Sequence, residues 1–152
     1  MHVVLYHPEI PQNTGSIARL CAATGTPLHL VKPLGFTIDD KHLKRAGLDY
    51  WPHVDVRLHE SWEDFLRTHG GGRRLFFSKK ARQSYIQANY RDDDFLVFGP
   101  ETTGLPEAWL EAHAENFFRI PMMTQAVRSL NLSNAVSIVV YEGLRQLGRL
   151  QA

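Results

Sequence analysis

Residues 95–113 read FLVFGPETTGLPEAWLEAH: four apolar residues, a turn of glycine and proline, then an amphipathic stretch. The run Phe95–Phe98 shows no polar alternation, as a strand buried on both faces of a sheet requires. Pro106 suits the first residue of a helix, because it lacks the N–H that a first turn leaves unpaired. A buried strand, a loop and a helix in that order form the repeating unit of a parallel α/β sheet.

The same unit recurs along the chain. Apolar runs at Val3–Tyr6, Leu28–Val31, Val54–Leu58, Leu75–Phe77 and Phe117–Ile120 predict further strands. Between them, a helix is expected from about Thr14 to Thr24, stopped by Gly25. A second opens at Ser61, with Asp64 three residues on, and ends at the glycines 70–72. A third buries Val136 to Leu147. The expectation is an α/β fold, a mostly parallel sheet with helices on both faces, formed by residues 1–152 as one domain. Ligands in such sheets gather outside the carboxyl ends of the strands.

Composition removes several functions. Seventeen Lys and Arg nearly cancel sixteen Asp and Glu, so no global field draws in nucleic acid or an anionic membrane. Local patches remain as candidates for RNA: KHLKR (41–45), GGGRR (70–74) and KKAR (79–82). The single cysteine, Cys21, excludes an internal disulfide and reads as core. Eight histidines are spread along the sequence with no His-x-x-x-His pair, which gives no zinc pattern. RDDD (91–94) reads as a solvated turn. No apolar run is long enough for a signal peptide or a membrane span, so a soluble, cytoplasmic protein without metal is expected.

Three polar segments each follow a strand. In PEIPQNTGSIARL (8–20), Asn13 or Thr14 can cap the helix, and Arg19 lies among apolar neighbours where an anion is a natural partner. In FGPETTGLP (98–106), Gly99 and Gly104 have P-loop spacing, but Leu-Pro replaces the required Lys-Ser/Thr, so no nucleotide triphosphate site is present. The turn brings backbone amides close to a ligand, with Glu101 among them. In FFRIPMMTQAVRSLNLSNAV (117–136), Ile120, Met122 and Met123 offer a soft apolar shelf for a flat ring. Arg128, Ser129, Asn131, Ser133 and Asn134 then crowd a helix mouth that needs one cap, from Asn131 or Ser133.

Together the three segments resemble the three motifs of the SPOUT superfamily of RNA methyltransferases, and within it the ribose 2′-O-methyltransferases. The likeness is strongest to the minimal members that methylate the wobble cytidine or modified uridine of the tRNA anticodon. The resemblance implies a C-terminal trefoil knot, S-adenosylmethionine as cofactor, the tRNA anticodon stem-loop as substrate and a homodimer with a shared site. It puts Ser78, Gly99, Glu101, Gly104, Ile120, Met122, Ser129 and Leu130 around the cofactor. It puts Asn13, Arg19, Ser129 and Asn131 toward the RNA and implies a base role for Arg19, whereas the residues themselves offer Glu101 as the one carboxylate in an obvious base position. Two other readings share these residues: methylation of another tRNA or rRNA position, and a non-catalytic module that binds a nucleoside or RNA.

Overall fold

The computed structural model describes residues 1–39 and 41–151, and the side chains of all of these except 44 and 46–49. Asp40 and Ala152 of the expected domain, and the Lys44 side chain of the expected basic patch, lie outside the described residues. Strands β1 (His2–Tyr6), β2 (Leu28–Val31), β3 (Val56–His59), β4 (Arg74–Phe77), β5 (Gln83–Ser84), β6 (Phe95–Phe98) and β7 (Phe117–Arg119) build one sheet. Their order is β3-β2-β1-β6-β4-β7-β5, and every pairing is parallel.

Strand alternation sorts the core into two layers. Val3, Leu5, Leu28, Leu30, Leu75, Phe77, Leu96, Phe98 and Phe118 point to one face, where α1 (Pro11–Thr24) and α5 (Leu132–Gln146) cover them with Ile17, Cys21, Val136 and Val140. Val4, Val31, Phe76, Phe95, Val97 and Phe117 point to the other, under Phe65 of α3 (Trp62–His69) and Trp109 of α4 (Glu107–Ala112). Helix α2 (Lys41–Gly47) packs on α1. The expected mostly parallel sheet with helices on both faces is therefore present. Among the described residues no helix is long and apolar enough to cross a membrane.

Local signals placed several elements well. Runs β2 and β6 match residue for residue, and the Ser61 side chain accepts the Asp64 amide at the mouth of α3. Cys21 is core, its thiol pushed up to about 12 by burial. Other expectations need correction. Strand β3 begins at Val56, because the Val54 amide is spent closing a turn onto Trp51. RDDD is not simply a solvated turn: Asp94 is fully buried, receives Arg73 at 2.6 and 2.7 Å, and accepts the Arg91 amide. Arg73 of GGGRR is thereby committed to the fold.

The histidines, far apart in sequence, meet in space. His2, His29 and His59 form a chain of ring hydrogen bonds, His2 Nδ1 to His29 Nε2 and His29 Nδ1 to His59 Nε2, each 2.9 Å. The His69 ring lies edge-on to both His29 and His59, and Phe65 and Phe95 enclose the group. Burial lowers His2 to about 4 and His29 to about 3, and also lowers His59 and His69.

An unfolded histidine titrates near 6.5, so between that value and the depressed folded values the unfolded chain binds more protons. Stability is complete above pH 6.5 and is lost as pH falls toward 4. The urea midpoint is expected to drop between pH 7 and 5, above the carboxylate range, and His29→Leu is expected to flatten that slope. An unchanged midpoint across the interval in the unmodified chain would refute the neutral histidine cluster.

Candidate active site

Strands β1 and β6 are neighbours, with Leu5 beside Phe98, yet the chain leaves β1 toward β2 and only later returns to β6. The loops that follow these two strands diverge from a switch point of the sheet, where a crevice opens. Gly99 starts the second loop. A Cβ there would lie 2.4 Å from the Leu105 amide nitrogen and 2.5 Å from the Gly104 carbonyl carbon, so only glycine lets the loop double back. Gly104 closes it with φ +70°, donating its amide to the Pro100 carbonyl at 2.9 Å.

This turn aims Glu101 at the start of α1. One carboxylate oxygen accepts the Glu9 amide at 2.9 Å; the other accepts the Ile10 amide at 2.7 Å and the Asn13 side-chain amide at 3.2 Å. The helix therefore starts at Pro11, three residues before the expected Thr14, and Ile10 at its N-cap supplies no side-chain bond. Neither Asn13 nor Thr14 is the cap. A carboxylate from another loop instead holds the two residues that lead into the helix, near the positive end of its dipole. Glu9 reciprocates by accepting the Thr102 amide and hydroxyl at 3.0 and 2.7 Å, contacts that hold its carboxyl below the usual range.

Asn13, nearly buried, uses its carbonyl oxygen to accept the Asn131 side-chain amide at 3.0 Å. The Asn131 carbonyl oxygen in turn accepts the Ser133 amide and hydroxyl and the Asn134 amide, capping α5. Asn131, not Ser133, is the cap, and the same side chain also reaches Asn13. The line Glu101–Asn13–Asn131 thus joins all three polar segments. Both Glu101 oxygens accept protein N–H groups, one on the first oxygen and two on the second.

Arg19 stands apart. It is exposed, six residues beyond Asn13 and on a different face of α1, with its guanidinium 5.1 Å from the Tyr50 ring centroid. The geometry of one chain does not bring it to Asn13. Lys79 reaches the Arg128 carbonyl at 3.2 Å, tying the turn after β4 to the segment after β7, while Lys80 pairs with Glu107. Of KKAR, then, Arg82 remains exposed without an ion pair among the described residues. Glu9, Thr102 and Tyr50 were not singled out in the sequence; no local pattern marks contacts made across such separations.

S-adenosylmethionine needs donors and acceptors for an adenine edge and an apolar slot for its ring. The segment from Met122 to Leu130 offers both. Among the described residues, only its Ala126 amide donates to a protein acceptor, the Thr124 hydroxyl, which leaves the other amides available. Half-buried Ile120 and Met122 flank it, Leu130 and Ser129 are exposed, and Ser78, the residue after β4, donates its amide to the Phe118 carbonyl. Met123, of the shelf that sequence suggested, is 86% exposed. The residues present fit such a cofactor.

Asn131→Ala is expected to cost about 1 kcal/mol in urea unfolding, the ordinary worth of an N-cap. Asn131→Ser, which keeps a cap oxygen but cannot span to Asn13, should recover most of that stability. Equal stability of the alanine variant and the unmodified chain would contradict the cap.

Residues 1–141 match the model of the SpoU rRNA methylase family. The chain is 50% identical over 149 residues to the tRNA (cytidine(34)-2'-O)-methyltransferase of Escherichia coli K12, covering 97% of this chain and 94% of that one. A solved structure described as giving "Structural insights into the 2-OH methylation of C/U34 on tRNA" superposes with a TM-score of 0.90 at 53% identity, covering 97% of this chain and 95% of the other. An AdoMet-bound rRNA methyltransferase from Sinorhizobium meliloti superposes with a TM-score of 0.84 at 27% identity, covering 96% of this chain and 56% of that one.

Proposed function

This chain belongs to the SpoU rRNA methylase family, and we propose that it methylates the wobble ribose of tRNA. The substrate is the 2′-hydroxyl of cytidine or modified uridine in the anticodon loop, and the methyl donor is S-adenosylmethionine. The observation that carries this reading is the whole-length likeness to an enzyme of that name, in a chain whose three polar segments are joined by Glu101, Asn13 and Asn131. Residues 1–152 act as one catalytic domain in the cytoplasm.

The bound cofactor supplies an electrophilic methyl on a sulfonium, so the reaction requires no metal. The segments around Ser78, Gly99, Gly104, Ile120, Met122, Ser129 and Leu130 hold it through backbone amides and an apolar slot. Glu101 fixes the start of α1, and Asn13 and Asn131 each keep one side-chain N–H, the one not spent on Glu101 or Asn13, for the ribose. Arg19 grips the adjoining phosphate through its planar fork. Its guanidinium offers N–H donors and no acceptor, so the hydroxyl proton passes to a phosphate oxygen or water.

Two finer features belong to the same reading. A homodimer is supported by the separation of Arg19 from Asn13 within one chain, which a partner's Arg19 would repair. Exposed Leu130, Ile138 and Tyr141 offer apolar surface for it. A C-terminal knot is supported by the insertion of β7 between β4 and β5, two strands that a single short turn connects.

Labelled S-adenosylmethionine with tRNA lacking the modification is expected to yield 2′-O-methyl nucleosides at the wobble position, mapped by mass spectrometry. Methylation only outside the anticodon loop, or cofactor binding without transfer, would overturn the assignment. Arg19→Ala is expected to lower transfer by at least about 10²-fold, the usual effect of a lost positioning contact, and Arg19→Lys to remain severely impaired. Near-normal activity of the lysine variant in the same assay would exclude the bidentate clamp.

A further inference from the structure

We infer that His29, His59 and His69 form a binding site for a zinc-class divalent transition-metal ion, on the face of the sheet covered by α3 and built from residues that the methyl-transfer site does not use. One ring nitrogen from each histidine lies within 4.8 Å of those of the other two. The three come from β2, β3 and the end of α3, so sheet and helix together fix them. Neutral imidazole suits zinc, copper or nickel, whereas magnesium and calcium need oxygen donors that this group lacks. Three histidines with a fourth position left to water form a known zinc arrangement.

The donor geometry needs only small adjustment. Zinc–nitrogen bonds of about 2.0–2.1 Å place tetrahedral donors roughly 3.4 Å apart. His29 Nδ1 and His59 Nε2 already face one another at 2.9 Å and must spread slightly. His69, which is only half-buried at the end of α3, closes the wider gap by ring rotation. His2 completes the arrangement without binding the ion. When its Nδ1 accepts the His29 Nε2 proton, His29 Nδ1 is left as a bare lone pair aimed at the site. Histidine ligands are ordinarily oriented by such a second contact.

Without metal, a proton on His59 Nε2 fills the space between the two rings. Metal binding moves that proton to His59 Nδ1 and leaves both facing nitrogens as ligands, with no change of oxidation state. The burial that keeps the rings uncharged also keeps their lone pairs free of competing protons. Three charged side chains bear on the site from its rim. Asp64 of α3 favours a cation, and Arg57 of β3 opposes it, partly offset by Asp55, which receives the guanidinium at 2.7 and 3.1 Å.

Calorimetric titration of the metal-stripped chain with zinc chloride tests the site. One ion per chain is expected, with affinity reduced at least tenfold in His59→Ala and in His69→Ala, and tenfold to a hundredfold in His2→Phe. His53→Ala, an exposed histidine outside the group, should bind as the unmodified chain does. Cobalt(II) added to the unmodified chain should give the intense visible bands of a tetrahedral site, a reading that no variant's folding affects. Absence of zinc binding, cobalt bands of octahedral type, or equal affinity in the His59→Ala/His69→Ala double variant would overturn the proposal.

Discussion

Both oxygens of Glu101 are committed to the beginning of α1, and the geometry of every polar segment near the switch point follows from that. The carboxylate takes the Glu9 and Ile10 amides, groups 92 and 91 residues away in sequence, and the Asn13 side chain. Hydrogen bonds to a charged group are worth about 1.5–3 kcal/mol each, more than neutral ones. Here their main consequence is alignment. Asn13 can present its oxygen to Asn131 because Glu101 holds its nitrogen, and Asn131 can cap α5 because its own oxygen is left over.

That chain of amides accounts for the crowd of polar residues ahead of α5. Asn131 combines two jobs, with its oxygen on the helix amides and its nitrogen on Asn13. Ser129 and the backbone at Leu130 remain exposed beside it. Orientation of two bound reactants can supply about 7–11 kcal/mol, whereas a positioned base adds roughly 10²- to 10⁴-fold. A site rich in positioning bonds and poor in free bases therefore suits transfer of an already activated methyl group.

Sequence was legible where short-range physics decides. The apolar runs β2 and β6 and the Ser61–Asp64 cap depend on neighbours within a few residues, and each was read at its true position. The three polar segments, recognised as a set, contain Asn13, Glu101 and Asn131, which do converge. What escaped was long-range. The start of α1 is set by Glu101 from another loop, so local capping rules misplaced it by three residues. Asp94 looked solvated because its partner Arg73 lies 21 residues away. The histidines carry no spacing signal, since the parallel sheet alone brings β1, β2 and β3 side by side.

The claim that these loops act as one device is tested most directly by a double-mutant cycle on methyl transfer, using Glu101→Gln, Asn13→Ala and the pair. Contacting residues in one hydrogen-bond network show coupling of about 0.5–3 kcal/mol. Here the pair is expected to lose kcat/KM by clearly less than the sum of the two single losses, because each variant already breaks the same link. Additive losses within about 0.3 kcal/mol, the behaviour of independent sites, would contradict the account.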